Sequence, residues 1–284
     1  NFVFARCYSL RSISVDSNNM EFASIDGILF SKNFETLLCF PANHHLSHYT
    51  LPPSVTSIGD KAFYNCSHLR SITIPTSVTV ISDSVFYGCH NLQSIDVESD
   101  NLNYASRDGI LFSKNFEILI CFPSKHRFLQ YTIPTSVTSI ANSACSKCSK
   151  LSSISISANV TSIGDKVFSG CCNLQSINVE SGNLNFSSRD GILFTENFDI
   201  LICFPPKHRL SKYTIPTSVT SIGDEAFYYC DHLQSIVIPT SVTSIGDKAF
   251  CRCSNLQSIA IPTSVTSIGY KAFSYCENLQ SIAI

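Results

Sequence analysis

The chain has 284 residues, of which 14% are charged, and its formal net charge is -2. A chain so nearly neutral lacks the basic patch that binds nucleic acid or an anionic membrane surface, so we expect no nucleic-acid partner. No apolar run approaches the roughly 20 residues of a membrane-spanning helix, so we expect no membrane span in this segment.

A six-residue motif, Leu-x-x-Ile-x-Ile, recurs along the whole chain. Its eleven copies begin at Leu10, Leu46, Leu69, Leu92, Phe128, Leu151, Leu174, Leu210, Leu233, Leu256 and Leu279. The first, fourth and seventh steps between copies are 36 residues and the others are 23, which gives a larger repeat of 82 residues. A 23-residue period lies within the range of about 20–29 residues that leucine-rich repeats show.

Each copy is predicted to form one coil of a solenoid. Side chains alternate along a strand, so positions 4 and 6 of the motif face the interior and positions 3 and 5 face outward. A segment such as SVTSIGDKAF at Ser54–Phe63 then supplies a second short strand, a glycine turn and an inward phenylalanine. The pattern predicts a β-rich solenoid of about 11 coils, stacked about 4.8 Å apart, as a single continuous domain over residues 1–284. Natural solenoids carry polar caps, and neither end of this sequence shows one.

The 36-residue steps contain a second recurring segment. It reads IDGILFSKNFETLLCFP at 25–41, with close copies at 107–123 and 189–205. Two apolar runs flank the polar link SKN or TEN, which predicts a β-hairpin on every third coil. Successive hairpins would lie three coil rises apart, about 14 Å, so each should cover its own stretch of the solenoid.

Most of the 14 cysteines are in phase with the repeat. Three residues before a motif stand Cys7, Cys66, Cys89, Cys148, Cys171, Cys230, Cys253 and Cys276, and a second series, Cys39, Cys121 and Cys203, recurs every 82 residues. A reduced cysteine behaves as a small hydrophobic residue, so we interpret the first series as a structural thiol ladder, buried and in weak S–H contact with the backbone. Disulfides between stacked coils are the alternative.

The combined pattern LQSIxIPTSVTSIGDKAFxxCxxL, interrupted by DGILFSKN, LICFP and YTIP, resembles the BspA-type leucine-rich repeat over essentially the whole chain. The resemblance implies a curved solenoid of the kind found on surface-exposed or secreted proteins of host-associated bacteria and of protists. It also implies a role in adhesion to host or matrix proteins and to other cells. No catalytic motif and no fixed set of binding residues comes with the resemblance.

The sequence offers no catalytic constellation, so we expect neither enzymatic activity nor a cofactor. Cys145 and Cys148 have the C-x-x-C spacing, but no second pair completes a metal site, and Cys145 stands in the phenylalanine column as a small core residue. We interpret the histidines around His44 as part of a solvated turn, with a weak local metal site as the alternative. The repeated aspartates, such as Asp247, are interpreted as a column on the outer wall.

The default binding surface is the outward face of the motif strands. Its candidate positions are Ser71, Thr73, Ser94, Asp96, Gln130, Thr132, Ser176, Asn178, Lys212, Thr214, Ser235, Val237, Ser258 and Ala260. This face is small and polar and lacks the aromatic and arginine anchors of tight interfaces. Three N-x-S/T sequons, at Asn65, Asn159 and Asn185, are possible N-glycosylation sites in a eukaryotic secreted protein.

Two functions follow as hypotheses. The first is an extracellular or cell-surface scaffold for adhesion, whose partner is a protein or glycan on a host, matrix or neighbouring cell. The alternative is the structural subunit of a filament, formed by end-to-end stacking of solenoids. The near-identity of the repeats and the plain strand face favour the second hypothesis, and the family resemblance favours the first.

Overall fold

The structure is a computed structural model that describes residues 3–4, 7–82 and 84–284. This part of the chain contains 26 short β-strands and no helix. It forms a β-solenoid of about 11 turns whose repeat matches the 23-residue spacing of the motif, which confirms the predicted leucine-rich-repeat fold.

The strands up to residue 121 are β1 (Phe22–Ile25), β2 (Ile28–Ser31), β3 (Thr36–Cys39), β4 (His48–Thr50), β5 (Ser57–Ile58), β6 (Ser71–Ile74), β7 (Val80–Ile81), β8 (Ser94–Val97), β9 (Tyr104–Arg107), β10 (Ile110–Ser113) and β11 (Ile118–Cys121). The next strands are β12 (Gln130–Thr132), β13 (Ser139–Ile140), β14 (Ser153–Ile156), β15 (Ser162–Ile163), β16 (Ser176–Val179), β17 (Phe186–Arg189), β18 (Ile192–Thr195) and β19 (Ile200–Cys203). The last are β20 (Lys212–Thr214), β21 (Ser221–Ile222), β22 (Ser235–Val237), β23 (Ser244–Ile245), β24 (Ser258–Ala260), β25 (Ser267–Ile268) and β26 (Ser281–Ala283).

The chain forms two compact units. The first comprises Asn1–Arg127, Ser139–Cys148 and Ile163–Val167, and the second comprises Phe128–Thr138, Ser149–Ser162 and Phe168–Ile284.

In the first unit, the motif strands β4, β6 and β8 pair in parallel, one strand per coil. The short strands β5 and β7, which follow the prolines, pair in parallel in a second sheet. Inward side chains from both sheets share one core, in which Ile58, Phe63, Ile72 and Ile74 are fully buried. The core therefore contains the residues that the alternating pattern assigns to the interior.

In the second unit, β12, β14 and β16 pair in parallel, as do β20 with β22 and β24 with β26. The short strands β21, β23 and β25 pair in parallel in a second sheet. The phenylalanines of successive coils stack, with 4.9 Å between the ring centroids of Phe227 and Phe250 and 5.3 Å between those of Phe250 and Phe273. Stacked rings at this spacing fill the interior from coil to coil.

The enlarged coils carry three antiparallel strands, one more than the two strands of the predicted hairpin. In the second unit, β17 pairs with β18 across Asp190–Gly191, and β18 pairs with β19 across the polar link. Strand β19 then joins β21 in parallel, so it takes the place of the short post-proline strand. The strand β17, Phe186–Arg189, was missed because its residues are mostly polar, and an apolar run was the signal for a strand.

The thiol ladder follows the coils. Sγ atoms donate to the carbonyl of a phenylalanine in the preceding coil, as from Cys66 to Phe40 at 3.4 Å and from Cys253 to Phe227 at 3.2 Å. Equivalent bonds are made by Cys89, Cys148, Cys230 and Cys276. Cys171 is buried, Cys276 is half-buried and Cys7 is exposed.

The start of the described chain departs from the repeat. Residues 10–15, the first copy of the motif, form no strand, and Ile13 is half-buried. Phe4, which aligns with the core phenylalanines, is 38% exposed.

Candidate binding surface

The motif strands display their outward side chains in aligned rows. In the second unit, Gln130, Ser153 and Ser176 lie side by side, as do Lys212 and Ser235. In the first unit, Nδ1 of His48 lies 2.7 Å from the hydroxyl of Ser71 in the next strand.

The candidate positions on this strand face are accessible to different degrees. Ser71, Thr73, Ser94 and Ser176 are half-buried, whereas Asp96, Gln130, Thr132, Asn178, Lys212, Thr214, Ser235, Val237, Ser258 and Ala260 are exposed. The second unit therefore holds most of the accessible positions, and these include the apolar Val237 and Ala260.

The Asp-Gly turn of each enlarged coil lies against a motif strand. The N–H of Ile177 in β16 donates to the carbonyl of Gly191 at 2.8 Å, and Ile95 makes the same bond to Gly109 at 2.9 Å. Gly191 has φ +81°, and a Cβ there would come 2.8 Å from the Cβ of Ser176. Only glycine combines this backbone conformation with so close an approach.

A buried histidine holds each Asp-Gly turn in place. Nε2 of His208 lies 2.7 Å from the carbonyl oxygen of Asp190, and Nδ1 accepts the N–H of Leu210 at 3.3 Å. Since Nδ1 accepts, Nε2 carries the proton and donates to Asp190. Burial is the main cause that lowers the pKa of His208 below its usual value, so the neutral ring is favoured.

The prediction that His44 belongs to a solvated turn is wrong. His44 is 1% exposed, and its Nε2 lies 2.8 Å from the carbonyl oxygen of Asp26, as His126 lies by Asp108. The His44 ring packs on Phe40, and the polar residues around it in the sequence did not indicate its burial. Both ring nitrogens of His44 have backbone partners, and the described residues contain no cluster of potential metal ligands.

A polar cavity of about 560 Å³ lies beside the last of these turns. It is lined by Gln175, Ser176, Asn178, Ser188, Asp190, Gly191, Lys207, His208 and Arg209. These residues come from the strand β16, from the Asp-Gly turn with β17, and from the KHR segment after β19. The sequence pattern did not indicate this cavity, because three separated segments build it.

An arginine and two tyrosines stack on the turns of successive coils. In the second unit the guanidinium of Arg252 lies 4.8 Å from the ring centroid of Tyr229 and 4.9 Å from that of Tyr275. Tyr275 is 62% exposed and Arg252 is exposed. The repeat pattern did not indicate this stack, although its residues recur at the 23-residue spacing.

The three sequons differ in exposure. Asn159 and Asn185 are exposed, and the side-chain amide of Asn159 donates to the carbonyl of Thr135 at 2.7 Å. Asn65 is half-buried and lies so close to Gly88 that a Cβ on that glycine would overlap its side chain.

The repeated aspartates bind the backbone of the next coil. The carboxylate of Asp224 accepts the N–H of Asp247 at 2.7 Å, and Asp247 accepts the N–H of Tyr270 at 2.6 Å. These aspartates are therefore parts of the coil framework.

The buried cysteines are poorly ionised. Burial raises the pKa of Cys66, Cys230 and Cys253 well above the usual value for a thiol. Cys145 is fully buried in the phenylalanine column. Thiols in this environment are structural and unreactive.

The stacked parallel coils and their outward rows define a leucine-rich-repeat solenoid. A family model described as the BspA type leucine rich repeat region, present in six copies, matches residues 36–119, 118–189 and 202–284. The chain therefore belongs to the BspA-type leucine-rich-repeat family, which confirms the resemblance found in the sequence. No helix in the described residues is long and apolar enough to cross a membrane.

Solved structures show the same fold. A leucine-rich repeat protein from Eubacterium ventriosum is 27% identical, with a TM-score of 0.57 over 85% of this chain and 68% of that chain. The pneumococcal vaccine antigen PcpA is 17% identical, with a TM-score of 0.52 over 96% of this chain and 74% of that chain. Comparison with curated proteins found no match.

Proposed function

We propose that the chain is a non-enzymatic scaffold for adhesion and protein interaction outside the cell or at its surface. The observation that carries this proposal is the stack of Tyr229, Arg252 and Tyr275, in which Arg252 and Tyr275 are exposed and Tyr229 is half-buried. Tyrosine and arginine are enriched among the residues that contribute most to protein interfaces. The chain belongs to the BspA-type family, and the resemblance to this family implies a role in adhesion. Family membership therefore supports the same function.

The stack would serve as the anchor and the strand face as the surrounding polar surface. Arg252 is held between two rings, so less side-chain freedom is lost when a partner binds to it. The outward rows, from Ser235 to Ala260, add polar and small apolar contacts of low individual strength. A long repeated surface of this kind gains strength from many weak contacts made together.

The test is binding of the purified chain to extracellular-matrix proteins and to intact cells. Tyr275→Ala should weaken binding at least about tenfold, as at an interface anchor. Tyr8→Ala is the matched control, because Tyr8 is also exposed but lies in the first unit, outside the stack. Equal binding by the wild-type chain and both variants would contradict the role of the stack, and antibody labelling of unpermeabilised source cells would test the location.

The filament remains the second candidate, favoured by the near-identical repeats. In this function the solenoids stack end to end, and the purified chain should form long particles in electron microscopy. Monodisperse short particles at all concentrations would exclude it.

For glycosylation, the exposed Asn185 is the preferred sequon and the half-buried Asn65 the least favoured. Expression through a eukaryotic secretory pathway, followed by enzymatic deglycosylation and peptide mass spectrometry, tests this order. Occupancy of Asn65 without Asn185 would reverse it.

A further inference from the structure

The polar cavity of the second unit has two cations at its rim. The ammonium of Lys207 lies 3.3 Å from a carboxylate oxygen of Asp231, and Nη2 of Arg209 lies 3.9 Å from a carboxylate oxygen of Asp190. The Arg209 contact is too long for a hydrogen bond, and its side chain is 78% exposed. Exposed ion pairs of this kind contribute only about 0–1 kcal/mol, so both cations can turn to an acidic ligand.

Beside the two cations and the carboxylate of Asp190, the lining carries neutral polar groups. Gln175 and Asn178 present side-chain amides, and Ser176 presents a hydroxyl. Amides and hydroxyls both donate and accept hydrogen bonds, as the hydroxyls of a sugar do. Among the described residues that line the cavity none has an apolar side chain, whereas peptide-binding sites use apolar pockets for anchor residues.

We propose that this cavity binds an anionic saccharide, one that carries a carboxylate or sulfate group. Lys207 and Arg209 contact the acidic group, and Gln175, Ser176 and Asn178 contact the ring hydroxyls. The buried His208 is not a ligand, because both of its ring nitrogens are engaged by the backbone; it fixes the Asp190 turn that forms one wall. The inference extends the proposed function by naming a ligand class for one part of the surface.

The first unit offers an internal comparison. The positions that match Asn178 and Arg209 there are Asp96 and Arg127. Nη2 of Arg127 donates to Asp108 at 3.1 Å, and Asp96 accepts the hydroxyl of Ser94 at 3.3 Å. An additional carboxylate and a more tightly held arginine disfavour an anion, so binding is assigned to the second unit.

The experiment is calorimetric titration of the full chain, at low salt, with a heparin-derived tetrasaccharide. Maltotetraose is the neutral control, and tetraglutamate tests whether the site takes an acidic peptide instead. Asn178→Asp reproduces the residue of the first unit at an exposed position and should weaken tetrasaccharide binding at least about tenfold. Arg209→Gln should also weaken it, whereas Asn255→Asp, which makes the same charge change at an exposed position outside the cavity, should not.

Failure of the tetrasaccharide to bind, or equal binding by the wild type and Asn178→Asp, would overturn the proposal. Equal loss in Asn178→Asp and Asn255→Asp would also overturn it, because net charge alone would then account for binding. If tetraglutamate binds as strongly as the tetrasaccharide, the saccharide proposal is wrong and the site takes an acidic peptide. None of these outcomes affects the Tyr275 test, so failure of this site is distinguishable from failure of the proposed function.

Discussion

Ser235 and Ile236 are neighbours on one motif strand and point in opposite directions. Ile236 is 6% exposed and belongs to the core of the second unit, whereas Ser235 is exposed. The two residues therefore provide a matched pair, in which the same substitution samples the interior and the surface of a single coil.

Ile236→Asp should lower the free energy of unfolding by more than about 3 kcal/mol, because it leaves an uncompensated charge in the core. Ser235→Asp should change it by no more than about 0.5 kcal/mol. Urea denaturation followed by circular dichroism measures both. Similar losses in the two variants would mean that the strand does not bury alternate side chains.

His208 should make stability depend on pH. Its pKa is lowered in the folded chain, chiefly by burial, so the unfolded chain binds more protons below about pH 6.5. The stabilisation is therefore complete above about pH 6.5 and is lost as the pH falls toward the lowered pKa. Protonation of Nδ1 would also remove the acceptor for the N–H of Leu210.

The measurement compares thermal unfolding of the wild type and His208→Gln at pH 7.5 and pH 5.5. At pH 7.5 the wild type should unfold at a clearly higher temperature than His208→Gln. The difference between the two unfolding temperatures should narrow at pH 5.5. If the difference in unfolding temperature widens at pH 5.5, His208 does not stabilise the fold as a buried neutral histidine.

At the scale of elements, the Asp-Gly turn is the point at which an enlarged coil joins a motif strand. Gly191 and Gly182 both have positive φ, but a Cβ on Gly191 would meet Ser176, whereas one on Gly182 would have nothing within 4 Å. Alanine at either position costs about 1–2 kcal/mol for its backbone conformation.

Gly191→Ala should therefore cost about 1–3 kcal/mol more than Gly182→Ala, since only the former also adds an overpacked contact. It should also weaken the bond from the N–H of Ile177 to the carbonyl of Gly191, which hydrogen exchange at Ile177 can follow. Equal losses of stability would show that the turn can move away from β16 at no cost.

The sequence predicted elements whose residues repeat and whose side chains alternate. The motif strands, the post-proline strands and the stacked phenylalanines belong to this class, because each coil contains its own copy of the signal. The polar strand β17 carried no apolar run, and the burial of His44 depends on a carbonyl 18 residues away. The cavity beside Asn178 could not be predicted, because its walls come from segments that the chain brings together only in the fold.

At the scale of the whole molecule, each coil of a solenoid contacts mainly its neighbours, so disturbance should stay local. The buried thiols report on this directly. In the native chain, iodoacetamide should label the exposed Cys172 before Cys66, Cys89, Cys230 or Cys253.

In Ile236→Asp, the thiols of the adjacent coils, Cys230 and Cys253, should become reactive while Cys66 and Cys89 stay protected. Peptide mass spectrometry after timed alkylation measures each site. Simultaneous exposure of all four thiols would indicate a single cooperative transition for the chain.

The hydrogen bonds from one aspartate to the next coil have a consequence for how such a gene can change. Asp224 and Asp247 each accept the N–H of the residue 23 positions further on, so these two coils offer the acceptor that the backbone of the following coil requires. Unequal recombination between the repeats of such a gene would insert or delete a complete coil, and these bonds would form again without compensating mutations. The length of the protein can therefore evolve faster than its fold.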